Sequence, residues 1–132
     1  MSDRRAPEER LLSELHAARL EGSLERLTGL VSGDARLRIT GSSEGRAVSI
    51  AARGGREIRA CLALLVKAFA LTGYQLLSLT VEGERAAAAH WRVEIHSKIT
   101  GARVPTELVD LLKVRNGRIA SCVEFFVPDA PA

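Results

Sequence analysis

The stretch that decides the fold runs from Arg85 to Phe126 and reads RAAAAHWRVEIHSKITGARVPTELVDLLKVRNGRIASCVEFF. Its side chains alternate at a period of two, which predicts two long strands and then a third strand after a tight Asn116-Gly117 turn. The even positions from 108 to 126, apart from that turn, form one apolar face that carries two acids, Asp110 and Glu124. A carboxyl on an apolar face is costly without partners, so these acids mark the candidate site.

The chain before this stretch has mainly helical spacing. A first helix is predicted from Pro7, a second after the capping residue Ser23, and a third from Arg56 to Thr72, ended by Gly73. Beyond Ala60 the third helix is almost entirely apolar, so we expect it to be largely buried. The GSSEG segment at 41–45 is read as a turn. The predicted strands are Ala35–Thr40, Ala47–Ala52, Tyr74–Gly83, Arg85–Lys98, Arg103–Arg115 and Arg118–Val127.

This order of elements predicts one α+β domain over residues 7–127. The chain has 132 residues, enough for a single hydrophobic core. We expect residues 1–6 and 128–132 to be tails. Three helices in the N-terminal half are available to cover one face of a strongly curved, mostly antiparallel sheet. A cone with an internal pocket follows from that arrangement.

Composition disfavours several classes of function. The net charge is only +3, the arginines are scattered, and aromatic residues make up 4% of the chain, which argues against nucleic-acid binding. No segment approaches the ~20 apolar residues of a membrane span. Cys61 and Cys122 lack metal-site spacing, so we interpret them as reduced thiols of a cytoplasmic protein.

The histidines do not indicate a metal site or a catalytic triad. His90 and His96 lie on one strand, ~20 Å apart at ~3.3 Å per residue, too far to share a metal ion. They share a solvated or interface face with Arg92 and Glu94. His16 on the first helix is interpreted as a satisfied helix histidine rather than a base. No metal and no cofactor are expected.

Two segments carry a family resemblance: LEGSLERLTGLVSGDARLRI (residues 20–39) and VDLLKVRNGRIASCVEFF (residues 109–126). With the apolar helix between them, they resemble the NTF2-like superfamily, which includes ketosteroid isomerases, SnoaL-like cyclases and limonene-epoxide hydrolases. The most specific piece is Asp-x-x-x-Val-x-x-Gly-Arg-Ile-x-x-x-x-Glu-Phe-Phe, from Asp110 to Phe126. The resemblance implies a cone-shaped α+β fold but no single activity, since one fold hosts many functions.

Carried over residue by residue, the resemblance implies only parts of known sites. Asp110 stands where ketosteroid isomerases keep a protonated Asp. Ile39 stands where they have their general base, and about Leu15 where they have a tyrosine. Glu124 stands at one acid of the limonene-epoxide hydrolase cluster. Arg92-Val93-Glu94 matches the Arg-x-Asp pair of those hydrolases only after a one-residue slip, which turns each side chain to the opposite face.

The resemblance therefore implies a pocket for a small, mainly apolar molecule. Asp110 and Glu124 are the candidate catalytic acid and base of an isomerase, cyclase or epoxide hydrolase. The alternative is a non-catalytic ligand-binding or dimerisation module in which both acids are structural. Val109 and Leu111 on the opposite sheet face lead us to expect a homodimer. The candidate ligand-binding residues are Trp91, Val93, Leu108, Leu112, Cys122, Phe126, Leu15 and Ile39.

Overall fold

Three helices pack against one six-stranded curved sheet in the computed structural model, which describes residues 7–43, 45–83 and 85–128. The α+β class and the mostly antiparallel sheet are confirmed. The predicted tails 1–6 and 129–132 lie outside the described residues. The helices are α1 (Pro7–Glu21), α2 (Leu24–Gly29) and α3 (Gly54–Ala68). The strands are β1 (Val31–Ser43), β2 (Arg46–Arg53), β3 (Phe69–Glu82), β4 (Ala86–Ser97), β5 (Arg103–Arg115) and β6 (Arg118–Pro128).

The sheet has the strand order β2-β1-β6-β5-β4-β3. Only the β1–β6 pair is parallel, and the other neighbouring pairs are antiparallel. Strands β4 and β5, and β6 from Cys122 onward, follow the predicted alternation, and the Asn-Gly turn forms with positive φ at Asn116 (53°) and Gly117 (74°). Strand β6 includes Pro128, which the sequence assigned to the tail.

The first two helices form for local reasons. Helix α1 begins at Pro7 and carries Glu8 and Glu9 in its first turn, where acids favour the helix dipole. Gly22 ends this helix with a φ of 73°. The Ser23 side chain caps α2 by accepting a hydrogen bond from the Arg26 backbone N–H at 3.2 Å. Helix α1 packs on β3, β4 and β5, where it supplies side chains to the inner face of the sheet.

The prediction for the third helix was wrong at its end and in its burial. Residues Phe69 to Thr72 are strand, because they pair with Ser97 to Glu94 of β4. Gly73 does have positive φ, but it lies at an irregularity of β3 rather than at a helix end. Helix α3 is buried at Ile58 and Leu62 only, and Leu64 is 68% exposed. It packs chiefly on β1 and α2, so its far side faces outward.

Two further differences concern β1 and β6. Strand β1 begins at Val31, which the sequence placed in the second helix, and it extends through the first part of the predicted 41–45 turn. In β6 the pairing skips Ala120, since Lys113 pairs with Ser121 and Val114 with Ile119. This bulge turns the odd-numbered Ile119 into the core, so the even-position rule for the apolar face is wrong at the start of β6.

Candidate functional site: a buried carboxyl pair

One row of cross-strand neighbours brings the two candidate acids together. Ala89 of β4 faces Asp110 of β5, Asp110 faces Glu124 of β6, and Glu124 faces Ile39 of β1. Since neighbouring strands lie about 4.8 Å apart, these two carboxyls share one spot on the inner face of the sheet. Asp110 is 0% exposed and Glu124 is 4% exposed. The sequence therefore placed both acids on the correct face.

Asp110 is held by two ring N–H groups. Its Oδ2 lies 2.8 Å from Nε2 of His16 and accepts a hydrogen bond from Nε1 of Trp91 at 2.9 Å. The imidazole also stacks on the indole, with ring centroids 4.3 Å apart. On its far side, Nδ1 of His16 lies 2.8 Å from the Tyr74 hydroxyl. A chain of three side chains thus connects the partly exposed Tyr74 with the buried Asp110.

Glu124 is held by a cation from the same helix. The Arg19 guanidinium donates to Oε2 of Glu124, and it also lies over the Trp91 ring, 5.5 Å from the ring centroid. Arg19 is the most exposed member of this ion pair, with 16% of its side chain accessible against 5% for Glu124. Helix α1 therefore covers the carboxyl pair with a histidine and an arginine three residues apart, on one helix face.

Burial controls the ionisation of this cluster. Burial raises the pKa of Glu124 to about 8, although the Arg19 charge opposes that shift. It raises the pKa of Asp110 as well, against hydrogen bonds and the Arg19 charge. Burial, with help from Arg19, lowers the pKa of His16 to about 4, so the imidazole is neutral. Burial alone would lower the pKa of Arg19, but the charges of Glu124 and Asp110 outweigh it, so Arg19 stays charged.

The two carboxyls face each other across β5 and β6, beside one cation. Oδ1 of Asp110 is buried and accepts no hydrogen bond from an N–H or hydroxyl group of the described residues. The charge of Asp110 adds to the rise in the pKa of Glu124, because two negative charges this close repel each other. A single negative charge on the pair, with one carboxyl protonated, would balance the Arg19 cation. Neutrality is what a low-dielectric interior favours.

All the predicted ligand-binding residues lie on the inner side of the fold, where they pair with one another across the strands. Trp91 pairs with Leu108, Leu108 with Phe126, and Leu112 with Cys122. Leu15 and Cys122 border a void of about 30 Å³ between the helices and the sheet, roughly the volume of one water molecule. All of these residues except the partly exposed Phe126 are buried: Leu15, Ile39, Trp91, Val93, Leu108, Leu112 and Cys122.

Sequence reasoning missed Arg19 and Tyr74, and it assigned His16 no part in the site. His16 is a satisfied helix histidine, as expected, but its partner is the candidate acid itself. On the first helix it is His16, not Leu15, that reaches Asp110. The available signal was the spacing of Leu12, His16 and Arg19, which places polar groups on the buried helix face.

The opposite face of β4 carries the other histidines. Burial alternates along β4 so that Trp91 and Val93 point inward, whereas Arg92 and Glu94 face away from the site. The slipped match to the Arg-x-Asp pair of the hydrolases therefore does not occur. His90 lies 3.7 Å from Glu107 on this outer face. Within the described residues, no three His, Cys, Asp or Glu side chains come together as metal ligands.

Three helices on a curved sheet with a polar cluster inside define the NTF2-like class of folds. The chain belongs to the SnoaL-like domain family, whose model matches residues 12–122. A comparison with curated protein sequences finds no match. None of the described helices is long and apolar enough to cross a membrane.

Solved structures share this fold at low sequence identity. A Bacillus subtilis protein proposed to be an isomerase has 18% identity and a TM-score of 0.77, covering 91% of this chain and 86% of that one. An LEH-like epoxide hydrolase of M. tuberculosis has 16% identity and a TM-score of 0.68, covering 91% and 82%. A ketosteroid isomerase-like protein of Catenulispora acidiphila, solved with trimethylamine, has 15% identity and a TM-score of 0.71, covering 93% and 88%. At these identities the likeness shows the fold alone.

Proposed function

We propose that this protein is a cofactor-independent acid–base enzyme acting on a small, mainly apolar molecule, by isomerisation, cyclisation or epoxide opening. The observation that carries the proposal is the pair of buried carboxyls, Asp110 and Glu124, which face each other across β5 and β6 beside Arg19. We propose that this pair holds one proton. Such a pair offers a proton donor and a proton acceptor at the same place. Arg19 keeps one negative charge on the pair, and His16 and Trp91 fix the orientation of Asp110.

The neighbouring residues supply the apolar surroundings that the proposed chemistry needs. Trp91, Leu108 and Phe126 follow one another in the next row across the sheet. They exclude water from the carboxyls, which strengthens charge interactions and keeps a proton on the pair. We propose that Asp110 and Glu124 supply and take up the proton of the reaction as acid and base, and that these apolar side chains form the inner wall of the ligand site.

The test uses substitutions that keep the hydrogen bonds. In Asp110→Asn, the amide oxygen accepts from His16 and Trp91 while the amide NH₂ donates to Glu124, so the melting temperature should change by only a few degrees. Glu124→Gln keeps an acceptor for Arg19 in the same way. Each variant should lose about 100-fold or more in turnover, measured on a panel of cyclic enones and epoxides.

A non-catalytic binding module is the second candidate, and the small void favours it. The cavity next to the predicted ligand-binding residues Leu15 and Cys122 is only about 30 Å³, and the Asp110 Oδ2 atom has two donors, like a structural acid. In that case Asp110→Asn and Glu124→Gln lower the melting temperature together. The wild-type protein then turns over no member of the panel.

We also propose a homodimer that forms through the outer face of the sheet. Val109 pairs with Phe125 and Leu111 with Val123, which makes a continuous apolar patch across β5 and β6. Leu111 is 43% exposed and Phe125 is 42% exposed. A groove of about 300 Å³, bordered by Leu111, Val123 and residues of β3 and β4, runs beside the patch. An exposed apolar patch of this kind fits a second copy of the same face about a two-fold axis.

The cytoplasm is the compartment we propose for this protein. Cys61 and Cys122 are free thiols, and Cys122 is buried. Reduced cysteines are typical of cytoplasmic proteins. Neither a nucleic acid nor a membrane is part of the proposed function.

A further inference from the structure

The carboxyl pair is covered on every side that the described residues show. His16 and Trp91 contact Asp110, Arg19 contacts Glu124, and Asp110 has no exposed surface. A substrate cannot touch these acids in this arrangement. The hydrogen-bonded chain has one accessible end, which is Tyr74 at 36% exposure.

We propose that Tyr74 is the catalytic residue that meets the substrate, and that His16 relays the proton between its hydroxyl and Asp110. This inference rests on the proposed acid–base function and deepens it. It places the substrate at the inner side of β3, beside the Tyr74 ring, rather than deep under helix α1. The carboxyl pair then accepts and holds the proton that the substrate loses.

The geometry fixes the direction of each hydrogen bond. A neutral imidazole has a single N–H group, and Oδ2 of Asp110 is an acceptor 2.8 Å from Nε2. Nε2 therefore carries the hydrogen, and Nδ1 accepts from the Tyr74 hydroxyl at 2.8 Å. Trp91 packs against both rings, at centroid distances of 4.3 Å to His16 and 5.8 Å to Tyr74, and holds them in place.

The proton transfers balance. A substrate C–H or O–H bond breaks, its proton binds to the Tyr74 oxygen, and the original hydroxyl proton passes to Nδ1 of His16. The Nε2 proton of His16 passes at the same time to Oδ2 of Asp110. The substrate is left as an anion beside a neutral phenol, and the carboxyl pair has gained one proton. When these transfers run in the opposite direction, a proton is returned to a different atom of the substrate. The net result is an isomerisation of the substrate.

The relay is consistent with the electrostatics of its members. Burial lowers the pKa of His16 to about 4, so the imidazole passes a proton on instead of keeping it. Burial and the Asp110 charge raise the pKa of Tyr74, so the phenol does not ionise by itself. The groups that act on the relay are Arg19 and Glu124, both beside Asp110.

The first experiment needs no substrate. Tyr74 is the only tyrosine in the chain, so alkaline absorbance reports its ionisation alone. We expect the Tyr74 pKa to lie above the usual ~10 and to fall in Asp110→Asn. Nitrogen NMR should show Nε2 of His16 protonated, with the Nδ1 resonance shifted in Tyr74→Phe. A Tyr74 pKa that is the same in Asp110→Asn, or an Nδ1-protonated His16, overturns the relay.

The second experiment measures proton abstraction from a nitrobenzisoxazole, whose ring opening gives a coloured phenolate. Tyr74→Phe and His16→Gln should each slow the reaction about tenfold or more. His90→Gln is the matched control, because His90 lies on the outer face beside Glu107, and it should keep the wild-type rate.

The outcomes separate the two proposals. If Asp110→Asn slows the reaction while Tyr74→Phe keeps the wild-type rate, the relay is wrong and the acid–base function stands. If the wild-type protein does not accelerate the reaction and turns over nothing in the enone and epoxide panel, the acid–base function itself is wrong. The proposed relay is then wrong as well.

Discussion

The pH dependence of stability follows from the pKa shifts of Glu124 and His16. Burial raises the pKa of Glu124 from 4.5 to about 8, so between these values the folded state binds more protons than the unfolded state. Stability therefore falls as pH rises through that window. Burial lowers the pKa of His16 from 6.5 to about 4, so the unfolded state binds more protons between those values. Stability therefore rises with pH through the His16 window.

The two contributions oppose each other and leave a characteristic profile. Between pH 4.5 and 6.5 their slopes cancel, so the free energy of unfolding is nearly level. Above pH 6.5 only Glu124 acts, and at about 1.4 kcal/mol per pH unit the loss up to pH 8 is about 2 kcal/mol. The pKa of Asp110 is also raised by burial, so its own contribution to stability likewise falls as the pH rises.

Urea unfolding at several pH values, followed by fluorescence, measures this profile directly. Trp91 is the only tryptophan, is fully buried and contacts the cluster, so its emission reports unfolding of the site. Glu124→Gln should flatten the curve between pH 6.5 and 8. Glu25→Gln, an exposed carboxyl on α2, should keep the wild-type slope. The reasoning is refuted by a wild-type curve that is level up to pH 8, or by an equal slope in Glu124→Gln.

Two other predictions concern packing. Gly41→Ala should lose about 1–3 kcal/mol of stability in urea unfolding, because its Cβ would lie 2.5 Å from the backbone oxygen of Phe126. Gly33→Ala in the same strand meets nothing within 4 Å and should cost little, so equal losses would contradict this explanation. Leu111→Lys should convert the proposed dimer to a monomer, since an unpaired charge in an apolar contact is costly. A wild-type protein that sediments only as a monomer at micromolar concentration would contradict the dimer.

The second half of the fold was predictable because its signal is local. Burial alternates along β4, along β5 and along β6 from Cys122 onward, and the Asn116-Gly117 turn fixes the register of β5 against the start of β6. That register alone would place Asp110 opposite Val123, and the bulge at Ala120 shifts the pairing by one residue and brings Asp110 opposite Glu124. The hairpin is therefore readable from sequence, whereas the direct pairing of the two acids is not.

The errors arise where distant contacts decide the structure. The run from Phe69 to Thr72 is apolar, and an apolar run of this length fits a helix as well as a strand. Its pairing with β4 decides the outcome. The inward turn of Ile119 likewise depends on a contact far along the chain, where its N–H donates to the Leu30 carbonyl at 2.8 Å. Neither effect has a signal in the local sequence.

Arg19 illustrates why the site itself was only half predictable. In sequence it is an ordinary cation in the last turn of a helix, where it favours the dipole. Its ion pair with Glu124 spans 105 residues and exists only because α1 crosses the inner face of the sheet. The acids could be recognised in the sequence because they occupy apolar positions of an alternating strand. A cation near a helix end is common in helices and gives no such signal.

The cost of this cluster is itself an argument for function. Replacing a buried ion pair with well-packed apolar groups is often neutral or stabilising, so stability alone does not favour four ionisable side chains inside a small core. The groups of this cluster come from α1, β5 and β6, and each makes a hydrogen bond to another member or to Trp91, while Oδ1 of Asp110 is left without a partner among the described residues. In the acid–base function proposed above, the two carboxyls share one proton, so the cluster would accept or release a proton with little rearrangement. That property is of no use to a core selected only for packing, which is why the cluster supports the proposal.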